Sequence, residues 1–295
     1  MDLTVAIPVY QCAVRPLVEE LNQGWPPGLQ GEILLWDDGS DPEIRAKNRP
    51  LAQSQGVVYR EMPENLGRAS IRNRLAEAAQ GRYILFLDND SRLVHQNFLQ
   101  TYWSNRLAGG VCCGGRRYPA KAAKGQSLHL RYGKGRESKS LSQRIKDGYE
   151  GFQSNNFLVD RQLWGQIRFD ERLKNYGHED TLFGRQLAAE GIALKQIENP
   201  VWHSQLEEKA VFLAKTRQAL DNLDWLARNH PLFQSHPPRL WLTAQKWRED
   251  WRGKLLVKVF EKGSRFWEKA LDLPGISLPL FDLYRLAYLL RMPAQ

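Results

Sequence analysis

Tyr83-Ile84-Leu85-Phe86-Leu87-Asp88-Asn89-Asp90 is a short apolar run followed at once by two carboxylates separated by one residue. A wholly apolar run of this length reads as a strand covered on both faces, as in parallel sheets. Leu3 to Val9 and Ile33 to Trp36 have the same character and also end in polar or turn residues. Between the runs lie helix-like stretches, Val14 to Gln23 and Arg68 to Ala79, the second placing Ala69, Leu75, Ala76 and Ala79 on one side. Strand and helix in alternation mean an α/β fold with a mostly parallel sheet flanked by helices. Ligands of such sheets bind beyond the carboxyl ends of the strands. The polar residues that follow each run are therefore the place to seek chemistry.

Composition narrows the class. A chain of 295 residues with 42% hydrophobic and 25% charged content can build one large core, or a core and a smaller second domain. Fibrous, disordered and disulfide-framework readings are excluded by the same figures. Cys12, Cys112 and Cys113 show no paired spacing for zinc or redox work. The opening Met1-Asp2-Leu3-Thr4 runs straight into a strand pattern without a basic leader, so the expectation is a cytoplasmic protein. Net charge is +9, which favours an acidic partner: nucleic acid, anionic lipid or a phosphorylated small molecule. No run reaches the roughly 18 apolar residues of a membrane span, and even Ile276 to Leu290 is broken by Pro279, Asp282 and Arg285.

Along the chain, Arg116 to Lys146 is basic and contains Gly and Ser, and it reads as a mobile loop region. After His203 the pattern turns helical from Glu207 to Asn229, then Trp-rich beyond Pro237 and Pro238, which puts a domain boundary near Gln205.

The chemistry-bearing stretches are each ambiguous alone. Asp88-Asn89-Asp90 offers oxygen ligands suited to Mg²⁺ or Mn²⁺, or a turn in which Asp and Asn cap local backbone. Asp37-Asp38-Gly39-Ser40 ends the second run with two further carboxylates, and Asp-Gly is also an ordinary turn. Pro8 fixes the exit of the first strand, and Asn65-Leu66-Gly67 precedes a helix bearing Arg72 and Asn73.

In this order and spacing, Ile7-Pro8-Val9-Tyr10, Asp37-Asp38-Gly39-Ser40 with Asp41, Asn65-x-Gly67 with Arg72-Asn73, and Asp88-x-Asp90 resemble glycosyltransferase family 2. These are inverting nucleotide-sugar transferases of GT-A fold, and the resemblance runs from about Leu3 to Gln205. It implies a Rossmann-like catalytic domain over residues 1–205, while the composition beyond it reads as a helical, basic, Trp-rich extension over 206–295. Residue by residue, it implies that Pro8 and Tyr10 line the nucleotide pocket and that Asp38 contacts base or ribose. Arg72 would lie near the nucleotide or its diphosphate, Asp88 on the ribose or sugar side, and Asp90 on a Mn²⁺ or Mg²⁺ ion. Gln11 and Ile71 depart from the family pattern without removing a group the reaction needs.

Asn175-Tyr176-Gly177-His178-Glu179-Asp180 precedes a helical pattern, and unaided it reads as an acidic helix start. The resemblance supplies a Gly-x-Glu-Asp type motif here, as in β-1,4-galactosyltransferases and polysaccharide polymerases. It makes Asp180 the general base and Glu179, with His178, an acceptor contact. Asn156 falls where the family places acceptor or sugar contacts, with a plain turn as the alternative. His203, after Val201-Trp202, corresponds to a family position that ligates the metal or touches the diphosphate. Cys12 reads as a buried small hydrophobe.

The reading is a metal-dependent inverting hexosyltransferase that moves a sugar from a nucleotide sugar, favoured as a UDP-sugar, to a glycan or lipid-linked glycan in cell-envelope polysaccharide synthesis. The acidic motif tilts the donor toward galactose or N-acetylgalactosamine. Two other classes stand beside it: a basic nucleic-acid-binding protein, which leaves the strand-end carboxylates unexplained, and a catalytically silent sugar-nucleotide-binding scaffold. No nucleic-acid partner is expected on the main reading. From Arg239 to Lys269 nine cations, Arg265 among them, face four acids, Glu268 among them. Trp241, Trp247, Trp251, Leu255 and Val259 recur at helical spacing. Such a face suits the inner surface of an anionic membrane, or equally a helix packed on the catalytic domain with a solvated basic side.

Overall fold

The computed structural model describes residues 1–263, 267, 269–273 and 277–293. Arg265, Glu268 and Ile276 lie outside them. The strands are β1 (Leu3–Val9), β2 (Gly31–Asp37), β3 (Val57–Glu61), β4 (Tyr83–Leu87), β5 (Ser91–Leu93), β6 (Gly110–Cys113), β7 (Arg116–Arg117), β8 (Asn156–Asp160), β9 (Ala193–Gln196) and β10 (Val201–His203). The helices are α1 (Arg15–Gln23), α2 (Pro42–Asn48), α3 (Arg68–Ala78), α4 (Phe98–Asn105), α5 (Ser127–Tyr132), α6 (Leu141–Asp147), α7 (Glu179–Ala189), α8 (Lys209–Asn229), α9 (Pro231–Gln234), α10 (Arg239–Trp247), α11 (Trp251–Lys262) and α12 (Ser277–Arg291).

Two compact units result. The first, formed by 1–119, 136–174 and 179–205, is built on a seven-stranded sheet of order β3-β2-β1-β4-β8-β6-β9. The strands β1 to β4 are mutually parallel where they pair, and β8 runs antiparallel to both β4 and β6. This is the mostly parallel α/β sheet expected of a GT-A fold. Strand side chains alternate between faces, and so the apolar runs feed two cores. Val5, Ile7, Leu35, Leu85 and Leu87 pack with Leu17 and Leu21 of α1 and Phe98 and Tyr102 of α4. Ala6, Leu34, Ile84 and Phe86 pack with Ala69, Ile71 and Leu75 of α3 and Phe183 and Leu187 of α7. Because both faces are covered, the strands carry no polar alternation. A small three-stranded sheet, β5-β10-β7, sits apart from the large one and sets the register of the site.

The second unit comprises 120–135, 175–178 and 206–295. Its core gathers Leu128 from α5, Phe212 and Leu213 from α8, Trp267, Leu271, and Phe281 and Tyr284 from α12. The Trp-rich stretch is not one helix. Asp250 caps α11 by accepting from the Arg252 N–H, and α10 has already ended at Trp247. Trp241 and Trp247 therefore do not continue the face of Trp251, Leu255 and Val259. Trp241 turns instead to Asp224 of α8, donating from Nε1 at 2.9 Å.

The basic segment Arg116 to Lys146 is not the mobile loop expected. It forms β7, α5 and α6, and two of its arginines, Arg131 and Arg144, serve as ties to backbone. Arg144, buried to 3% exposure, donates to the carbonyls of Cys113 and Ile197 and to Gln196 Oε1. Arg131 donates to the carbonyl of Leu271 at 2.8 Å. Guanidinium groups can satisfy buried carbonyls as well as solvate, a difference that composition does not record.

At the amino ends of the central strands, buried Glu32 accepts from Thr4 Oγ1 and the Gln80 N–H, and Thr4 Oγ1 accepts from the Gly81 N–H, each at 2.8 Å. Gly81 lies against the backbone of Leu3 and Thr4, where an added methyl would overlap main-chain atoms. Gly81→Ala should cost about 1–3 kcal/mol of stability by overpacking, read as a lower urea midpoint with an unchanged m-value.

Candidate active site

Asp88-Asn89-Asp90 leaves the sheet at the carboxyl end of β4, as the strand pattern requires, but its two carboxylates enter different surroundings. Asp88 turns to a buried guanidinium cluster. Arg72 Nη2 lies 2.6 Å from its Oδ1, Arg68 Nη2 3.5 Å from Oδ2, and Arg116 Nη2 3.8 Å from Oδ2. Burial by itself would raise the Asp88 carboxyl, but the charges of Arg68, Arg72 and Arg116 outweigh it and hold the group down at about 2. Asp88 is an anion at any working pH.

The arginines come from predictable and unpredictable places. Arg68 and Arg72 are one turn apart on α3 and so share a face. Arg68 was open to notice from that spacing, since it directly follows Gly67. Arg116 arrives on β7 from the basic segment, and no local pattern points to it. It also pairs with Glu137 at 2.8 Å, and Tyr118 donates to the same carboxylate.

Asp90 faces His203. The antiparallel register of β10 on β5 sets His203 opposite Ser91, next to Asp90, and brings His203 Nδ1 to 2.9 Å from Asp90 Oδ2. The Ser204 N–H donates to the Asp90 carbonyl at 3.0 Å and fixes the approach. A carboxylate oxygen and an imidazole nitrogen at this separation are a donor set that accepts Mn²⁺ or Mg²⁺. Among the described residues no group of three or more His, Cys, Asp or Glu side chains is placed to hold a metal. The pair would thus leave most of a cation's coordination to ligand oxygens and water, as is usual for Mg²⁺ on substrate phosphates.

Glu179 and Asp180 open α7, where acidic residues are favoured by the helix dipole. They too are held unequally. Glu179 is buried and accepts from Arg68 Nε at 2.6 Å. Burial opposes its ionisation, but Arg68 and Arg72 prevail and lower its pKa. Among the described residues no arginine forms an ion pair with Asp180, although the charges of Arg68 and Arg116 act on it from farther off. Burial first, and the charge of Glu179 second, push it up to about 6, against the Thr181 N–H that donates to its Oδ1 at 2.7 Å. His178, in the preceding turn, holds a left-handed backbone with φ 68°. Within the second unit that turn is organised by Asn222, whose Nδ2 reaches the carbonyls of Asn175, Tyr176 and Gly177.

At the other strand ends, Tyr10 is half exposed at the exit of β1, and Pro8 is partly buried. Asp38 is buried, and its oxygens accept from the N–H groups of Leu66, at 2.7 Å, and Gly67, at 3.1 Å. It ties the β2 exit to the start of α3, so any base or ribose contact would be an addition to this duty. Asp37, the first acid of that pair, is fully buried and accepts from the Ser40 N–H. Cys12 is buried, and burial first and the Asp90 charge second push its thiol up to about 11, which leaves it inert.

Asn156 corrects an expectation. Its side chain is fully buried in β8 and has no capacity left for an acceptor sugar: Oδ1 accepts from Tyr102 Oη at 2.7 Å, and Nδ2 donates to the carbonyls of Gly115 and Asn199, both at 2.9 Å. It closes the gap between β8, the turn after β6 and the turn before β10. Position in a family pattern pointed to a ligand contact, but the side chain is spent on buried groups of these turns, the Asn199 and Gly115 carbonyls.

Two predictions follow from these environments. Asn156→Ala should cost about 1–3 kcal/mol, since it strands the buried Asn199 carbonyl and takes one of two partners from the Gly115 carbonyl and from the Tyr102 hydroxyl, measured as loss of stability in urea. Asp180 carries the opposite sign. Its carboxyl is raised in the fold, so the ionised form subtracts stability above pH 6, and nothing is lost below the unfolded value near 4. Asp180→Asn should therefore raise Tm at pH 8, with the gain shrinking toward pH 5.

Comparison with known proteins bears on the family and the fold. The family model "Glycosyl transferase family 2" matches residues 4–164. An uncharacterized glycosyltransferase of Haemophilus influenzae is 36% identical over 92 residues, 30% of this chain and 36% of that protein, so the matched stretch spans about a third of the relative's length. Among solved structures, the mannosyltransferase PcManGT of Pyrobaculum calidifontis, in complex with GDP-Man and Mn²⁺, aligns over 98% of this chain and 85% of its own at a TM-score of 0.62 and 13% identity. TarS 1-349 of S. aureus in complex with UDP-GlcNAc aligns over 98% and 88% at a TM-score of 0.56 and 14% identity. With the family model covering more than half of its length, this chain belongs to glycosyltransferase family 2.

Proposed function

We propose that the protein transfers a sugar from a nucleotide sugar, with a UDP-sugar favoured, to a hydroxyl of a glycan or lipid-linked glycan, in one displacement that inverts the anomeric centre. The observation that carries this reading is the division of labour among the acids. Asp90 lies 2.9 Å from His203 at the strand end, a pair that could share a cation, while Asp180 is a buried carboxyl poised at about 6. The structural relatives solved with GDP-Man and Mn²⁺ and with UDP-GlcNAc support a nucleotide-sugar donor and a divalent cation.

Asp90 and His203 would hold Mn²⁺ or Mg²⁺, and the cation, when bound, supplies Lewis-acid stabilisation of the charge that gathers on the departing diphosphate. Arg68, less buried than Arg72 and already paired with Glu179, adds its charge on the phosphate side while Arg72 keeps Asp88 in place. Asp88 accepts from ribose or sugar hydroxyls on its remaining lone pairs. Pro8 and Tyr10 bound the nucleotide side, and Asp38 positions the loop before α3. Glu179 and His178 orient the acceptor.

A sugar hydroxyl is a poor nucleophile until its proton is taken. Asp180 accepts that proton as the acceptor oxygen bonds to the anomeric carbon and the bond from that carbon to the phosphate oxygen breaks. The nucleoside diphosphate leaves with the electron pair. A base near 6 is largely ionised at neutral pH yet retains basicity, the compromise that general-base catalysis favours.

Donor binding comes before acceptor identity in testing the reading. In the presence of Mn²⁺ one nucleoside diphosphate sugar should raise Tm by mass action, with about 2.7 kcal/mol of stabilisation at a hundredfold excess over Kd. The shift should vanish with chelator and in Asp90→Ala. If no nucleotide sugar shifts Tm under any metal condition, the reading fails. With donor and acceptor known, kcat/KM should climb with pH through a limb near 6 and level off above it. Asp180→Asn should lower kcat by on the order of 10²–10⁴ while leaving the donor shift in place, and product of retained anomeric configuration would overturn the single-displacement mechanism.

A further inference from the structure

Helix α11 is apolar on two faces, and only one of them is used by the fold. At about 100° per residue, Leu256 and Phe260 fall on one side and pack against the core of Trp267, Leu271, Phe281 and Tyr284. Gly253 is buried on that side as well, against the backbone of Trp247. Trp251, Leu255 and Val259, spaced by four, line the opposite side, and they are 71%, 52% and 43% exposed. A soluble surface helix normally keeps that side polar, and contiguous exposed apolar residues mark an interaction surface.

The charges beside this stripe identify what it meets. Lys254, Lys258 and Lys262 repeat at the same spacing of four and run parallel to the apolar stripe along its edge. Among the described residues, no carboxylate pairs with any of the three, whereas Arg252 and Arg291 are held by Asp250 and Glu261. Leu255, Lys258, Val259, Lys262 and Gly263 line one shallow, open concavity, so cations and apolar groups face the same medium. No helix among the described residues is long and apolar enough to cross a membrane.

We infer that α11 is a docking face for an anionic bilayer, with Trp251, Leu255 and Val259 entering the headgroup region and Lys254, Lys258 and Lys262 facing the acidic headgroups. The combination decides the partner. Nucleic-acid phosphate would engage the lysines but leave Leu255 and Val259 in water, and a protein partner gives no reason for an unpaired lysine row beside the stripe. An interfacial helix needs both terms, apolar burial and attraction to acidic lipid. The inference is independent of the transfer chemistry, and it narrows the membrane expectation from the whole Trp-rich stretch to one face of one helix.

Flotation of the full-length protein with phosphatidylcholine vesicles, with and without about 30% phosphatidylglycerol, tests it, since a juxtamembrane lysine contributes roughly fivefold in partitioning to acidic lipid. The wild type should float only with the acidic vesicles, with a blue shift of tryptophan emission, and less so in high salt. Replacing the three lysines together by Gln should weaken partitioning on the order of a hundredfold. The triple variant W251S/L255S/V259S, whose net charge is unchanged, should lose flotation and the blue shift while keeping its Tm, because none of the three supports the core. Failure of the wild type to float, or equal flotation of the Ser variant, would overturn the inference. So would retention on duplex DNA in place of vesicles, or a concentration-dependent dimer that the Ser variant abolishes.

Discussion

The contact of Arg72 with Asp88 at 2.6 Å is the constraint on which the site's charge arrangement depends. A buried ion pair contributes little to net stability, because desolvation offsets the attraction, but breaking one costs about 3–5 kcal/mol. Its effect here is positional. Arg72 is anchored by helix α3 packed on the sheet, Asp88 by the end of β4, and the bond between them fixes where α3 begins relative to the strand exit. Asp38 fixes the same point from β2 through the N–H groups of Leu66 and Gly67. The rim is thus held at two places before any ligand arrives.

From that constraint three acids acquire three different jobs. Asp88, surrounded by guanidinium groups, is locked as an anion. Asp90 instead meets His203, whose Nδ1 lies 2.9 Å from its Oδ2. Asp180, buried next to Glu179, is pushed up to about 6. Identical side chains are separated by environment alone, the pattern by which acid and base assignments are recognised in enzymes. Glu179 links the set: its pairing with Arg68 keeps it ionised, and its ionised charge is part of what raises Asp180.

The excess of basic residues has more than one meaning. Arg68, Arg72, Arg116, Arg131 and Arg144 are internal ties to carboxylates or carbonyls, and they explain why a segment that reads as solvated loop is ordered. The lysines of α11 are of another kind, aligned on a face that keeps its apolar stripe in solvent. Arginine, with its planar fork and weak hydration, is suited to the first use, and lysine, a strongly hydrated point charge, to the second.

The sequence by itself determined the sheet, the strand-end carboxylates and the family, because apolar runs and the turns that end them are local patterns. Asp90 lies at such a strand end, whereas Asp180 and His203 drew notice only through the family resemblance, because an acidic helix start and a lone histidine are locally ambiguous. Only the tertiary structure decided which neighbours those residues meet. Arg68 reaches Glu179 across 111 positions, and Asn222 reaches Asn175 across 47. Asn156 is buried in β8 because its amide bridges the carbonyls of two turns distant in sequence, those of Gly115 and Asn199. The outward face of α11 is likewise invisible in a helical wheel, which shows two apolar sides but not which of them the core will cover. Local propensity is written residue by residue, whereas burial and charge environment are set by contacts between distant segments, and those exist only once the chain has folded.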